Sequence, residues 1–105
     1  MKTILITGAT DGIGLLTAKM LAAEGHKVLL HGRSANKLAK ASAEIGGTNE
    51  TYLADLTDLQ AVRSMAAEII ANHAQLDGLI NNAGVLKLSN VMTASGYDAR
   101  FVVNT

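Results

Sequence analysis

Cysteine, proline and tryptophan do not occur in this chain of 105 residues. Without cysteine there is no disulfide framework and no thiol chemistry, which fits a reducing compartment. Aromatic residues are nearly absent as well, Tyr52, Tyr97 and Phe101 being all there are. With 49% apolar residues and so few rings, the core has to be assembled from Ala, Leu, Ile, Val and Met. Net charge is missing too, since nine basic residues balance nine acidic ones. That removes the basic stripe expected of a nucleic-acid binder or of a protein on an anionic membrane surface. No apolar run approaches the length of a membrane span. Met1-Lys2 leads directly into the first apolar segment, which leaves no room for a signal peptide. The expectation is a single small domain, soluble and cytoplasmic, with neither nucleic acid nor membrane as partner. His26, His31 and His73 lack metal-ligand spacing, so no metal site is expected. Ser42, Ser64, Ser89 and Ser95 have no base close by in sequence, so a nucleophilic triad is not indicated.

What is present starts with glycine. Thr7-Gly8-Ala9-Thr10-Asp11-Gly12-Ile13-Gly14 follows a strand-like run, Ile4-Leu5-Ile6, and precedes a helical pattern of Ile13, Leu16, Thr17, Met20 and Leu21. A helix N-terminus offers unpaired N–H groups and partial positive charge to a phosphate. Glycines let the backbone approach such a ligand closely. The spacing Gly-x-x-x-Gly-x-Gly differs from the commoner Gly-x-Gly-x-x-Gly fingerprint. A glycine turn that serves packing alone remains the competing explanation.

Strand and helix patterns alternate along the rest. Strands are expected at Lys2–Thr7, Lys27–His31, Glu50–Ala54 and Leu79–Asn81, and helices at Gly12–Glu24, Ala35–Ile45 and Asp58–His73. The helix at 58–73 is the strongest, with Leu59, Val62, Ala66, Ile69, Ile70 and His73 on one face. Residues 82–95 read mostly as loop, and 96–105 as the start of another helix. Alternation of this kind implies parallel pairing through right-handed crossovers. The fold class is therefore α/β, a doubly wound Rossmann-type sheet of four strands in the order 3-2-1-4. Ligands of such sheets bind at the carboxyl ends of the strands, at the switch point between strands 1 and 4.

Three further strand ends carry polar signals. An acidic residue about 20 positions beyond the glycines usually holds the adenosine ribose and selects NAD. Here the chain reads His31-Gly32-Arg33-Ser34 instead. Glycine leaves space, Arg33 offers a fork of donors suited to a 2′-phosphate, and Ser34 adds a hydroxyl or a helix cap. NADP is thus favoured over NAD, against the plainer reading of a turn glycine, a solvated arginine and an ordinary cap. Asp55, in Leu53-Ala54-Asp55-Leu56, could accept a hydrogen bond from an adenine amino group or could simply turn the chain toward the next helix. Asn81-Asn82-Ala83-Gly84 closes strand 4. Its amides can tie strand ends together and its Ala-Gly lets a cofactor lie against backbone, although Asn and Gly also dominate plain turns.

In order and spacing, Thr7-Gly8-(x)3-Gly12-Ile13-Gly14, Gly32-Arg33, Asp55-Leu56, Asn81-Asn82-Ala83-Gly84 and Asn104 together resemble the short-chain dehydrogenase/reductase family. Residues 76–105 look most like its retinol-dehydrogenase-like reductases. The resemblance covers the whole chain and implies a dinucleotide-binding domain over residues 1–105. It implies that Gly8, Gly12, Ile13 and Gly14 cradle the pyrophosphate of NADP, with Thr7 supporting the turn. Arg33 and Ser34 would hold the 2′-phosphate, Asp55 and Leu56 would flank adenine, and Asn81, Ala83 and Gly84 would line the adenosine ribose side. Asn104 would be the asparagine of the catalytic tetrad, which orders a water in a proton relay. The family's Tyr-x-x-x-Lys is not among these residues: four positions after Tyr52 stands Leu56, and four after Tyr97 stands Phe101. The expectation is the N-terminal, cofactor-binding part of an NADP-dependent reductase acting on a carbonyl or secondary alcohol, inactive alone. Its free strand-4 edge and apolar last helix are expected to drive self-association. The rival readings are a stand-alone nucleotide-binding module without catalysis and a structural piece with no ligand affinity.

Overall fold

The computed structural model describes residues 1–83, 87–97, 100 and 102–104, with backbone alone at 87, 89, 93 and 102–104. Five strands are described: β1 (Thr3–Thr7), β2 (Lys27–Gly32), β3 (Asn49–Leu53), β4 (Gly78–Asn81) and β5 (Val102–Asn104). Four helices accompany them: α1 (Gly12–Ala23), α2 (Ala35–Ile45), α3 (Leu59–Asn72) and α4 (Lys87–Ala94). The strands form one sheet in the order β3-β2-β1-β4-β5, every neighbouring pair parallel. The expected order 3-2-1-4 is present, extended by a fifth strand.

The sheet is buried on both faces at its centre, as parallel sheets are. On one face Ile4, Ile6, Val28 and Leu30 pack with Ala18 of α1 and Leu38 of α2. On the other, Leu5, Leu29 and Leu79 pack with Val62, Met65 and Ile69 of α3 and with Leu88 and Met92 of α4. Alternate residues of each strand thus feed opposite halves of the core.

Four expectations require correction. Residues 102–104 are strand rather than helix, and pair Leu79 with Val102, Ile80 with Val103 and Asn81 with Asn104. The β4 edge expected to be free is therefore covered. Residues 87–94 form α4 where a loop was expected. On α3, Leu59 is exposed and His73 falls just past the helix as its C-cap, so the buried face is Val62, Met65, Ala66 and Ile69. On α1 the inward face is made of small residues, Gly14 and Ala18, while Ile13, Leu16 and Met20 point outward at 71%, 58% and 58% exposure. The small side chains let α1 lie close on β1 and β2; Leu21 packs against the core from the helix's last turn, while Ile13, Leu16 and Met20 are left outside.

Candidate cofactor site

The turns that follow β1, β2, β3 and β4 converge at the carboxyl end of the sheet. Between them lies an open cleft of about 580 Å³, walled by Gly8, Thr10 and Asp11, by His31–Ser34 with Lys37, by Asp55–Thr57, and by Asn82 and Ala83. This is the position the switch-point rule assigns to a ligand.

The floor is a hydrogen-bonded clasp between β1 and β4. The Thr7 hydroxyl donates to Asn81 Oδ1 at 3.1 Å and accepts from the Ala83 N–H at 3.1 Å. Asn82 Nδ2 donates to the Gly8 carbonyl at 3.1 Å. Thr7 and Asn81 are buried, at 1% and 2% exposure, so they act behind the cleft rather than on its surface. Gly8 has φ +63° and Gly12 φ +58°, a region that costs an ordinary residue on the order of 1–2 kcal/mol. Gly14 answers a different need, because a Cβ there would run into the Gly8 carbonyl and stand 2.7 Å from Asn82 Nδ2. Gly32 is likewise a packing glycine. A Cβ at Gly32 would meet Thr10 Cγ2 at 2.6 Å and Leu38 Cγ at 3.0 Å, so the space it leaves is filled by protein and not kept for a ligand.

The helix starts around the cleft are unequal. Ser34 caps α2 by accepting from the Lys37 N–H at 3.3 Å. Asp58 caps α3 by accepting from the Gln60 and Ala61 N–H groups. Asp11, the residue before α1, makes no such side-chain bond and pairs loosely with Lys37 Nζ at 3.5 Å. The first turn of α1, Gly12-Ile13-Gly14, therefore has no side-chain cap from that residue.

Asp55 turns the chain at this point and borders the cleft. Its Oδ1 accepts from the Thr57 N–H at 2.9 Å and from the Thr57 hydroxyl at 2.7 Å, which is a chain-turning arrangement, and the residue also walls the cleft. Leu56 sends its side chain into the α3 half of the core.

Of the residues proposed from sequence, Gly8, Arg33, Ser34, Asp55, Leu56 and Ala83 wall the cleft together. Thr7 and Asn81 stand beneath it, and Gly12, Ile13 and Gly14 open α1 beside it. The backbone of Asn104 lies in β5 opposite Asn81. Gly84 lies outside the described residues, and so does the Asn104 side chain. Sequence reasoning left Thr10, Asp11, His31, Lys37, Thr57 and Asn82 out of the site. Two of these carried a usable signal. Lys37 falls in the first turn of the helix that Ser34 caps. His31 is a polar residue inside a strand that is otherwise buried and apolar, and a buried polar group needs partners. Among the described residues, no cluster of potential metal ligands occurs.

The family model for short chain dehydrogenases matches residues 2–105. The chain belongs to the short-chain dehydrogenase family. Human retinol dehydrogenase 13 is 38% identical over 109 aligned residues, covering 98% of this chain and 33% of the human protein. The citronellol catabolism dehydrogenase of Pseudomonas aeruginosa superposes with a TM-score of 0.78 at 31% identity, over 89% of this chain and 50% of that one. An actinorhodin polyketide ketoreductase solved with NADPH has the same fold, with a TM-score of 0.80 at 23% identity over 98% of this chain and 52% of that one. The chain spans about a third of the length of the first curated relatives it matches. The family is one of oxidoreductases that use nicotinamide dinucleotides.

Proposed function

We propose that the cleft is an NADP site and that this chain is the cofactor-binding part of an oxidoreductase that interconverts a carbonyl and a secondary alcohol. The observation that carries the reading is the end of β2. Arg33 walls the cleft with Lys37, and no carboxylate stands between Gly32 and Ser34 to receive ribose hydroxyls. A guanidinium with a neighbouring ammonium suits a dianionic 2′-phosphate and offers nothing comparable to a free 2′-hydroxyl.

The cofactor, when bound, supplies or accepts the hydride. The chain's own residues bind and orient it. The uncapped first turn of α1 and the turn at Gly8 suit the pyrophosphate, held from beneath by Thr7. Ser34 assists Arg33, Asp55 and Leu56 border the adenine, and Asn81, Ala83 and Gly84 serve the ribose side. Asn104 is proposed as the relay asparagine. By family resemblance the proton comes from the tyrosine of a Tyr-x-x-x-Lys pair, and neither tyrosine here is followed four positions on by lysine. The 105 residues alone are therefore expected to bind without turning over. We also infer that copies of the chain self-associate through the exposed α1 stripe of Ile13, Leu16 and Met20, and that the protein is cytoplasmic. No helix among the described residues is long and apolar enough to cross a membrane.

Calorimetric titration of the 105-residue chain with NADP+ and NAD+, paired with a ketone-reduction assay, tests the reading. Tighter binding of NADP+ without turnover is expected. Equal affinity for the two dinucleotides, or reduction by contaminant-free protein, contradicts it.

A further inference from the structure

His31 takes part in none of the proposed cofactor contacts, yet it connects three of the four turns that make the cleft. It is buried, at 1% exposure. Its Nδ1 accepts the Gly8 N–H at 3.0 Å, and its Nε2 lies 2.8 Å from the Ala54 carbonyl. The first partner can only donate and the second can only accept, so the ring must be neutral with its proton on Nε2. The backbone around it repeats the pattern. The His31 carbonyl accepts the Ala9 N–H at 2.9 Å, and the Gly32 carbonyl accepts the Ala54 N–H at 3.1 Å. Two consecutive amides of the glycine turn thus end on His31, and so does the carbonyl that precedes Asp55.

We propose that His31 is a positioning residue for the cleft: its neutral imidazole holds the glycine turn against the turn after β3, and its protonation releases the glycine turn and weakens dinucleotide binding. A proton on Nδ1 would place one N–H donor against another at Gly8. The bond would be lost at the residue whose backbone sets the approach to the pyrophosphate. This inference rests on the cleft being a dinucleotide site. Burial holds the imidazole below the usual histidine range. The Ala54 bond opposes that and nearby Arg33 adds to it. The other charged groups that wall the cleft with the ring are Asp11, Lys37 and Asp55; α3, which packs on this face of the sheet, is capped by Asp58 and carries Arg63 exposed to solvent. The carboxylates favour the protonated ring and the cations disfavour it. The comparison with a variant that cannot be charged at position 31 separates the titration of His31 from that of the groups around it.

The test compares the wild type with His31→Gln and His31→Leu. The glutamine amide keeps one acceptor and one donor and cannot be charged. Leucine removes both bonds. The readouts are the imidazole 15N shifts, hydrogen exchange at the Gly8 amide, and NAD+ affinity from about pH 7.5 to about pH 4.5. NAD+ is the probe because it carries no 2′-phosphate to titrate. The wild type is expected to show the Nε2–H tautomer and to lose affinity in step with protonation of His31. His31→Gln is expected to keep Gly8 protected, with affinity flat wherever only His31 titrates. His31→Leu is expected to bind about tenfold or more weakly at neutral pH, the loss of a buried hydrogen-bond partner. Identical pH profiles in wild type and His31→Gln overturn the proposal, as does full affinity in His31→Leu. An intact His31–Gly8 bond in a protein that binds neither dinucleotide overturns the cofactor reading itself and this inference with it.

Discussion

Gly14 and Gly12 show how residues of one type, two positions apart, serve different physical ends. At Gly14 the limit is space. An added Cβ collides with the Gly8 carbonyl and the Asn82 amide, and overpacking of this kind costs about 1–3 kcal/mol. At Gly12 nothing lies within 4 Å of an added Cβ, but the backbone has φ +58°, which costs on the order of 1–2 kcal/mol for an alanine. Gly14→Ala is therefore expected to unfold at lower urea than Gly12→Ala, because it also pushes α1 off β1 and disturbs the Asn82 bond. Unfolding midpoints equal to wild type in Gly14→Ala would count against the packing account. The sequence motif contains both glycines but could not separate these structural roles. The separation depends on Asn82, which is 68 positions away from Gly14 and reaches it only through the pairing of β1 with β4.

Edge strand β3 is anchored by charge at the end away from the cleft. Glu50 accepts from Lys27 Nζ at 2.8 Å, from the Tyr52 hydroxyl at 2.8 Å, and contacts His73 Nε2 at 2.9 Å. Partial desolvation works to raise the Glu50 pKa, but the bonds from Lys27, His73 and Tyr52 outweigh it and hold the carboxyl at about 2. Burial, with the neighbouring carboxylate, pushes Tyr52 up to about 12. The unfolded chain binds a proton at Glu50 near pH 4.5 and the folded chain only near pH 2. Its stabilisation is thus complete above pH 4.5 and disappears as pH falls toward 2. Solvent access makes the contribution modest. Glu50→Gln is expected to lower stability at neutral pH and to flatten the fall between those limits in an acid-unfolding series. An unchanged slope would contradict the role given to Glu50. The two misread elements fail for reasons at this same scale. α4 has eight residues with Ser89, Asn90 and Thr93 among them, a composition with little intrinsic helicity. Burial of Leu88 and Met92 against α3 makes it a helix. β5 is a three-residue strand, too short for alternation to distinguish it from a helix start, and it is fixed by the ladder that β4 provides.

For the whole molecule, the strand order and the place of a cleft at the carboxyl ends of the strands were readable because both follow from the alternation of apolar strands and helices, with glycine at the first crossover. What could not be read was which side of α1 faces inward, since the helix packs through Gly14, Ala18 and Leu21 and leaves Ile13, Leu16 and Met20 outside. That exposed stripe of Ile13, Leu16 and Met20 is now the reason to expect self-association, the β4 edge being covered. Sedimentation of the 105-residue chain at high concentration should give a dimer or larger species that dissociates in Leu16→Glu. A monomer under those conditions contradicts the expectation. The central claim concerns the cleft, and Arg33 tests it most directly. The ratio of NADP+ to NAD+ affinity should be measured in wild type and in Arg33→Ala. A charge-assisted contact contributes about 1.5–3 kcal/mol, so the substitution should reduce the preference by roughly tenfold to a hundredfold while leaving NAD+ affinity nearly unchanged. A ratio that is the same in both proteins would contradict the assignment of this cleft to NADP.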